Sequence, residues 1–571
     1  KTLTLSGGGT FNNTNALVLN NADSLLSLAG ILIIRDIDGT ASSNSGKGIK
    51  VTSSATMGDY DLSTVSYLSL AAEKTLAGQL NLKTNGELKT SGAGQYVGDI
   101  ALAGGKFSAT DNQVLGGTLS ITADSELTVS EGYTFTLSQA GGLALGANTL
   151  TLSGGGSLVS GGLILNNAQS KLLLNKITLD SASTSANNSG VDVDDSSTIT
   201  ALAVGHTTPV SIASGKTLSG AVTVTGGSIK LGETGTLAST VSMSGGTLDA
   251  DETSTVSGSL TLSGNISIDV AADKTLTFLT GEIKTENNEL TLAGAGTIAF
   301  PSDASGIVVN NVAGLLKLDG TGTLGASLVS VDSNAGKGLA VSSTSTISSL
   351  KVSANTKLNV AQGKTLLGSA EVSSGKTLNL SGTGTFGSAL NLLGTLEAGA
   401  NLSVSGLISV GGNSSVSIPV NTTLTYTGGD IDVGSHTLSI GGAGTFSNAN
   451  NNALVLDASD SILDLSGTVI ITGPVKLEGG TLKVSAGSPK ISGALTQYNN
   501  AIIEVASNQT LNYTGASLNV GAKTLTLSGG GTFNNTNALV LNNADSLLSL
   551  SGILSVGDID GTSASNSGKG I

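Results

Sequence analysis

The feature that most constrains this chain is a short pattern that returns roughly every 20 residues, the kind of period that marks stacked repeats. From Leu218 onward, Val222-Thr-Val224 is followed by Ile229-Lys-Leu231 and then Leu237. One period later come Val241-Ser-Met243, Leu248-Asp-Ala250 and Val256, and the next round gives Leu260-Thr-Leu262, Ile266-Ser-Ile268 and Leu276. A separate stretch behaves likewise. Leu80/Leu82, Leu88 and Val97 return as Ile100/Leu102, Phe107 and Val114, then as Leu119/Ile121, Leu127 and Phe135. Each run alternates apolar and polar residues, as a strand with one buried face must. Such short strands cannot bury a face alone. Three of them, separated by Gly, Asn, Ser and Thr, predict one turn of a wide coil, with the next turn pairing in parallel about 4.8 Å above it.

The expected fold is therefore all-β: a parallel β-helix, or β-solenoid, with about 19–20 residues and three short strands per coil. Val222, Val241 and Leu260 should stack inward, and Thr223, Ser242 and Thr261 should point out. Gly226-Gly227, Gly245-Gly246 and Gly264-Asn265 should stack at a turn where positive φ is cheap. Amphipathic helices compete poorly, because spacing by four does not persist and Gly and Thr weaken helices.

Two longer repeats contain this one. Residues 1–49 return as 523–571 with 43 of 49 positions identical, a period of 522. Within that period the segment from Leu3 to Phe11 has counterparts beginning at Leu150, Leu290, Leu438 and Leu525, with a looser copy at Leu378. The expected organisation is one continuous solenoid over 1–571, with sub-repeats 3–149, 150–289, 290–437 and 438–524, and 525–571 opening the next period. Starting without Met or a signal peptide, the chain reads as an excerpt of a longer array. At roughly 20 residues per coil, it should form about 28 coils and a rod on the order of 130 Å long.

Composition removes other classes. With 81 Gly but 5 Pro and no Gly-X-Y triplet, the chain is not collagen. A net charge of −15 and a mean hydropathy of +0.24 argue against disorder. The absence of Cys removes disulfides and thiolate chemistry. The best apolar stretch, Leu25 to Ile34, is broken by Ser27 and Gly30 and is too short to span a membrane. With 40 acids against 25 bases, and Arg35 the only arginine, nucleic acid is a poor partner.

Coils of this length, rich in Gly, Ser, Thr and Asn with Leu/Val/Ile stacks, resemble bacterial secreted β-helix surface proteins. The nearest kinds are filamentous-haemagglutinin-like exoproteins and autotransporter-passenger-like adhesins. The resemblance covers essentially the whole chain, and it is one of pattern and composition. It implies a right-handed coil, an extracellular or cell-surface location, and roles in adhesion, biofilm or surface structure. Neither a haemagglutinin-type secretion domain nor an autotransporter barrel is recognisable in these residues. No functional motif carries over residue by residue.

Candidate chemistry is thin. Gly-Lys-Thr occurs at 215–217, 363–365 and 375–377, but a phosphate loop needs a further Gly where this chain has Val210, Leu358 and Ala370. Lys-Thr-Leu instead recurs, at Lys1, Lys74, Lys216, Lys274, Lys364, Lys376 and Lys523, as a turn-to-strand step with Lys in water and Leu in the core. His206 and His436 are separated by many coils and cannot share a site in a rod. Asp192, Asp194 and Asp195, and the turn Asp36-Ile-Asp38-Gly39 with its copy Asp558–Gly561, are calcium candidates that lack a calcium-roll pattern and read better as acidic turns. An ice-binding face needs Thr-x-Thr on successive coils. The pairs Thr2/Thr4, Thr149/Thr151, Thr275/Thr277 and Thr524/Thr526 are too far apart in sequence for a continuous row. Tyr426 and Tyr513 occupy equivalent places, which suggests repeat structure rather than glycan platforms.

No catalytic, cofactor-binding or metal-binding residue is therefore assigned, and no cofactor is expected. The preferred expectation is a non-enzymatic repeat segment of a giant extracellular β-solenoid fibre, whose partners are copies of itself end to end. The alternative is an adhesin stalk or binder for cells or glycans. A polysaccharide-active enzyme is the remote one, because a single Arg and scattered acids offer no clustered site.

Overall fold

The computed structural model describes the chain except residues 16, 20, 22, 31, 35–36, 40–47, 302–305, 321, 331–336, 450, 553–554 and 562–569. The described residues contain strands and turns but no helix. The strands stack in parallel as a β-solenoid of about 25 turns. The chain divides into two compact units, Lys1–Gly281 and Glu282–Ile571, and both are built this way.

In the first unit, one coil runs through Ser228–Leu231, Thr236–Leu237 and Thr240–Met243, and the next through Thr247–Ala250, Ser254–Val256 and Leu260–Leu262. These are the three walls of the solenoid, met in a fixed order. On the first wall Ile229 pairs with Leu248, on the second Leu237 with Val256, and on the third Val222 with Val241 and then Leu260. The inward stack predicted on the third wall is present: Val222, Val241 and Leu260 are buried, while Thr223 and Thr261 are exposed. The predicted glycine stack holds for two of its three coils, whereas Gly264 lies against the Ser244 carbonyl and neither it nor Asn265 has positive φ. Gly227 and Gly246 both have positive φ, and a Cβ on Gly246 would meet the Gly227 carbonyl oxygen at 2.4 Å. Three strands per coil, each burying one face, account for a core made almost wholly of Leu, Val, Ile and Phe.

The spacing between coils is less regular than the sequence suggests. Val210, Ile229 and Leu248 pair in succession at one even interval, whereas the step from Leu127 to its partner Leu152 is longer. The extra residues sit at corners. Between Thr134–Leu137 and Leu143–Ala144 the chain inserts a loop, whereas the same two walls are spanned by the single bent strand Thr217–Val224 further along. Longer corners are why the chain makes about 25 turns and not 28.

Two register assignments are corrected. Leu248 pairs with Ile268 and Ala250 with Val270, not with Ile266 and Ile268. A slip of two residues keeps every side chain on the same face, so alternation alone cannot detect it. Val97 and Val114 align with the buried Phe135 in the sequence pattern. They are 37% and 39% exposed, and the inward residues of those coils are Tyr96 and Leu115. Their coils meet this wall with strands of two and three residues, too short for alternation to fix which face is buried.

The Lys-Thr-Leu step is a recurring turn. In five copies the lysine N–H donates to the carbonyl three residues back: Lys74 to Ala71, Lys216 to Ala213, Lys274 to Ala271, Lys364 to Ala361 and Lys376 to Ser373. The residue before lysine is left-handed, as Glu73 (φ 61), Gly215 (φ 69), Asp273 (φ 62), Gly363 (φ 71) and Gly375 (φ 70). The following leucines, including Leu76, Leu218, Leu276, Leu366 and Leu378, are fully buried. Because a side chain in this region costs energy that glycine avoids, Glu73→Gly should stabilise the protein by about 0.5–1 kcal/mol. Thermal unfolding of the variant checks this, and a lower Tm would contradict it.

Candidate functional site: the ladder between coils

Stacking in register forces each outward side chain to sit beside its equivalent one coil away, so surface chemistry here is a matter of columns. Charged residues follow that rule with alternating sign. In the first unit Lys83 pairs with Asp61, Lys106 with Glu126 (2.8 Å), Lys171 with Asp192 (2.7 Å), Lys216 with Asp195 (3.0 Å), Lys230 with Asp249 (3.2 Å) and Lys274 with Glu252. In the second unit Lys483 pairs with Glu504 (3.1 Å) one coil away, and Lys476 reaches Asp430 (2.7 Å) across two coils. All these groups are partly exposed, so each pair contributes at most about 1 kcal/mol. Their larger effect is on register, because a slip would part in-register partners such as Lys106/Glu126 and Lys483/Glu504. Burial opposes ionisation of Glu126, but hydrogen bonds from Lys106, Ser153 and Thr128 outweigh it and hold the carboxyl below the usual range.

The column of Lys230 breaks the alternation. Lys230, Asp249 and Asp269 lie in register on successive coils, so two carboxylates are neighbours. Burial, then Asp249 and Asp251, raise Asp269 above the ordinary aspartate range. Since the folded state holds this proton more tightly than the unfolded chain, the associated stability is present at low pH and lost as pH rises through the raised pKa. Asp269→Asn should therefore stabilise the protein at neutral pH by about 0.2–1 kcal/mol, toward the lower end because solvent screens the pair. Tm compared well below and well above the aspartate range checks it. An equal gain at both pH values would contradict the cause given.

A second feature ties coils together at a corner, and the sequence alone does not reveal it. Gly146, Gly434 and Gly521 adopt left-handed φ of 60, 59 and 63°. The N–H of each donates to a side-chain oxygen of the next coil: Asn166 (2.9 Å), Asp457 (2.8 Å) and Asn542 (2.8 Å). The carbonyl of each accepts from a buried serine hydroxyl, of Ser170, Ser461 and Ser546 respectively. Both polar groups of the glycine are thus satisfied from the coil above, forming a clamp.

The predicted candidates separate along the ladder. Asp192 and Asp195 each hold a lysine of a neighbouring coil, and Asp194 sits at a register shift and is exposed. Arg35 and Asp36 lie outside the described residues. Their neighbours Asp38 and Gly39 lie in the strand Ile37–Gly39, and in the second copy Asp558 and Asp560 are exposed, with Asp560 and Gly561 in the strand Ile559–Gly561. Among the described residues no group of three or more His, Asp or Glu is placed to hold a metal. His206 is an exposed left-handed turn residue of the first unit, and His436 follows the Gly434 clamp in the second. Val210, Leu358 and Ala370, where a phosphate loop would need glycine, are buried strand residues.

Tyr426 and Tyr513 are fully buried and stack on Phe446 and Phe533 at 6.3 Å. Their phenol oxygens accept from the backbone N–H of Ile408 and Leu495. They belong to the repeat core, as expected. Of the four Thr pairs, those at 2/4, 149/151 and 524/526 lie on the first wall and 275/277 on the second. The expectation of no continuous threonine row needs correction, however. Thr217, Thr236, Thr255 and Thr277 form one column on four successive coils. The local signal for it is the spelling Thr-x-Thr at Thr234/Thr236 and Thr253/Thr255, on the two coils before Thr275/Thr277.

Open grooves follow the walls. One in the first unit, about 470 Å³, is lined by Glu87, Lys106, Glu126 and Thr151 among others. One in the second unit, about 910 Å³, includes Glu478, Asn499, Asn500, Lys523 and Thr526. Comparison of the chain with family models, with curated proteins and with solved structures gives no match.

Proposed function

We propose that the chain is a repeat segment of an extracellular structural fibre without catalysis of its own, in which copies associate end to end. The observation that carries this reading is the rebuilding of one coil a full long period later in the chain. Thr2–Ser6 and Thr524–Gly529 form the same first-wall strand, and each pairs in the same register with the strand after it, Leu3 with Leu26 and Leu525 with Leu548. A coil that recurs in the same register offers the next copy the ladder it already uses internally, and alternating charge columns favour that register over a slipped one. The chemistry of such a protein lies in backbone hydrogen bonds repeated along its length.

Negative-stain electron microscopy across a dilution series tests the proposal. Filaments many chain lengths long, persisting on dilution, are the expected result, and discrete single particles at every concentration would overturn it. The second reading, a stalk or binder for cells or glycans, is favoured by two exposed tyrosines, Tyr133 and Tyr498, each in a different unit. Single particles that bind a glycan surface saturably would support that reading instead.

A further inference from the structure

The clamp described above has a fourth copy, in the second unit, and it is defective at three positions. Aligned with Leu145-Gly146, Val433-Gly434 and Val520-Gly521 is the pair Thr285-Glu286. The backbone is the same. The Thr285 N–H donates to Val308, as Leu145 does to Ile164, Val433 to Val455 and Val520 to Val540. The Glu286 N–H donates to Asn310 Oδ1 at 2.8 Å, in the manner of the three glycines. The side chains differ. Glu286 occupies the left-handed conformation (φ 50) that glycine fills elsewhere, at a cost glycine does not incur. Gly314 stands where Ser170, Ser461 and Ser546 supply the clamping hydroxyl, so that bond to the left-handed residue's carbonyl is lost. Thr285 replaces a buried Leu or Val, is itself fully buried, and its hydroxyl finds no hydrogen-bond partner.

The replacements are coupled in space. A Cβ on Gly314 would lie 2.5 Å from Thr285 Oγ1, so the threonine hydroxyl fills the room a serine would need. The loss of the clamp is built into the packing at this corner.

We infer that the corner formed by Thr285, Glu286 and Gly314 is the opening point of its unit, the place where one coil parts from the next before the rest of the ladder loosens. In a solenoid each coil is held only by its neighbours, so a local deficit appears as local opening rather than as uniform softening. The other copies of the clamp in the same unit, at Gly434 and Gly521, are internal controls with the same backbone and intact chemistry.

Native-state hydrogen exchange on the full chain tests this directly. The protection factors of the Thr285 and Glu286 amides should be about tenfold to a hundredfold lower than those at Val433/Gly434 and Val520/Gly521. The triple variant Thr285→Val, Glu286→Gly, Gly314→Ser installs the side chains of the intact copies and should bring protection at 285 and 286 up to theirs. Equal protection at all these sites in the unmodified protein would overturn the inference. So would a folded triple variant whose protection at 285 and 286 is unchanged. The comparison within the unmodified protein stands even if the triple variant fails to fold.

Discussion

Gly220→Ala should cost at least about 3 kcal/mol, among the largest effects of any single methyl addition to this protein. Gly220 follows Lys216-Thr-Leu-Ser at the corner where the strand Thr217–Val224 bends from one wall to the next. It pairs with Ile199 at a register shift, and a Cβ built on it would lie 1.8 Å from the Ile199 carbonyl oxygen. That oxygen belongs to the backbone of the coil below and cannot move without breaking its own ladder. The φ of 112° adds strain for any L side chain. Gly368, after Lys364-Thr-Leu-Leu, repeats the arrangement in the second unit, with its Cβ 1.8 Å from the Ile347 oxygen and φ of 113°. A control separates the two costs. Gly215 has φ of 69°, but its Cβ would meet nothing closer than Thr234 Oγ1 at 3.7 Å, so Gly215→Ala should cost only about 1 kcal/mol. Denaturant unfolding of the two variants checks the ratio. Similar losses would show that contact at the corner is not what makes Gly220 special.

Tyr426→Ala should cost about 3–5 kcal/mol, because it opens a cavity between coils that cannot collapse without shifting three walls. The ring is fully buried and stacks on Phe446, while its oxygen takes the Ile408 N–H of the coil below. Tyr426→Phe keeps the ring and leaves that N–H without its tyrosine acceptor, so it should cost about 1 kcal/mol. Neither loss should spread evenly. Coupling passes between neighbouring coils, so amide protection should fall first in the strands flanking Tyr426, Leu402–Val404 and Thr445–Asn448. Uniform loss of protection throughout the second unit would contradict nearest-neighbour coupling.

These cases show how much of the molecule the sequence encodes locally. Alternation of single residues marks the inward columns, so Val222, Val241 and Leu260 are legible as a stack. The Lys-Thr-Leu turn is legible because all its parts are close neighbours in the chain. Coil length is not legible, because corners accept loops without disturbing the walls, and so Leu248 finds Ile268 rather than Ile266. Val97 and Val114 mislead because strands this short contain too few residues on one face to settle the matter. The corner glycines carry a local signal, Lys-Thr-Leu-x-Gly, at Gly78, Gly220 and Gly368, but its meaning depends on a carbonyl about one coil away. The clamps join residues of successive coils across a variable corner, and spacing alone cannot reveal them.

The most direct test of the stacked parallel ladder uses the chain's lack of cysteine. Thr223 and Ser242 are outward residues paired in register on adjacent coils, whereas Thr261 lies one coil further on. Adjacent strands bring paired Cα atoms to about 4.8 Å, within disulfide reach, and put residues two coils apart near twice that distance, beyond it. The Thr223→Cys/Ser242→Cys protein should form an intramolecular disulfide under mild oxidation, seen by mass spectrometry, and Thr223→Cys/Thr261→Cys should keep free thiols. A bridge in the second protein, or none in the first, would contradict the solenoid register on which every other prediction rests.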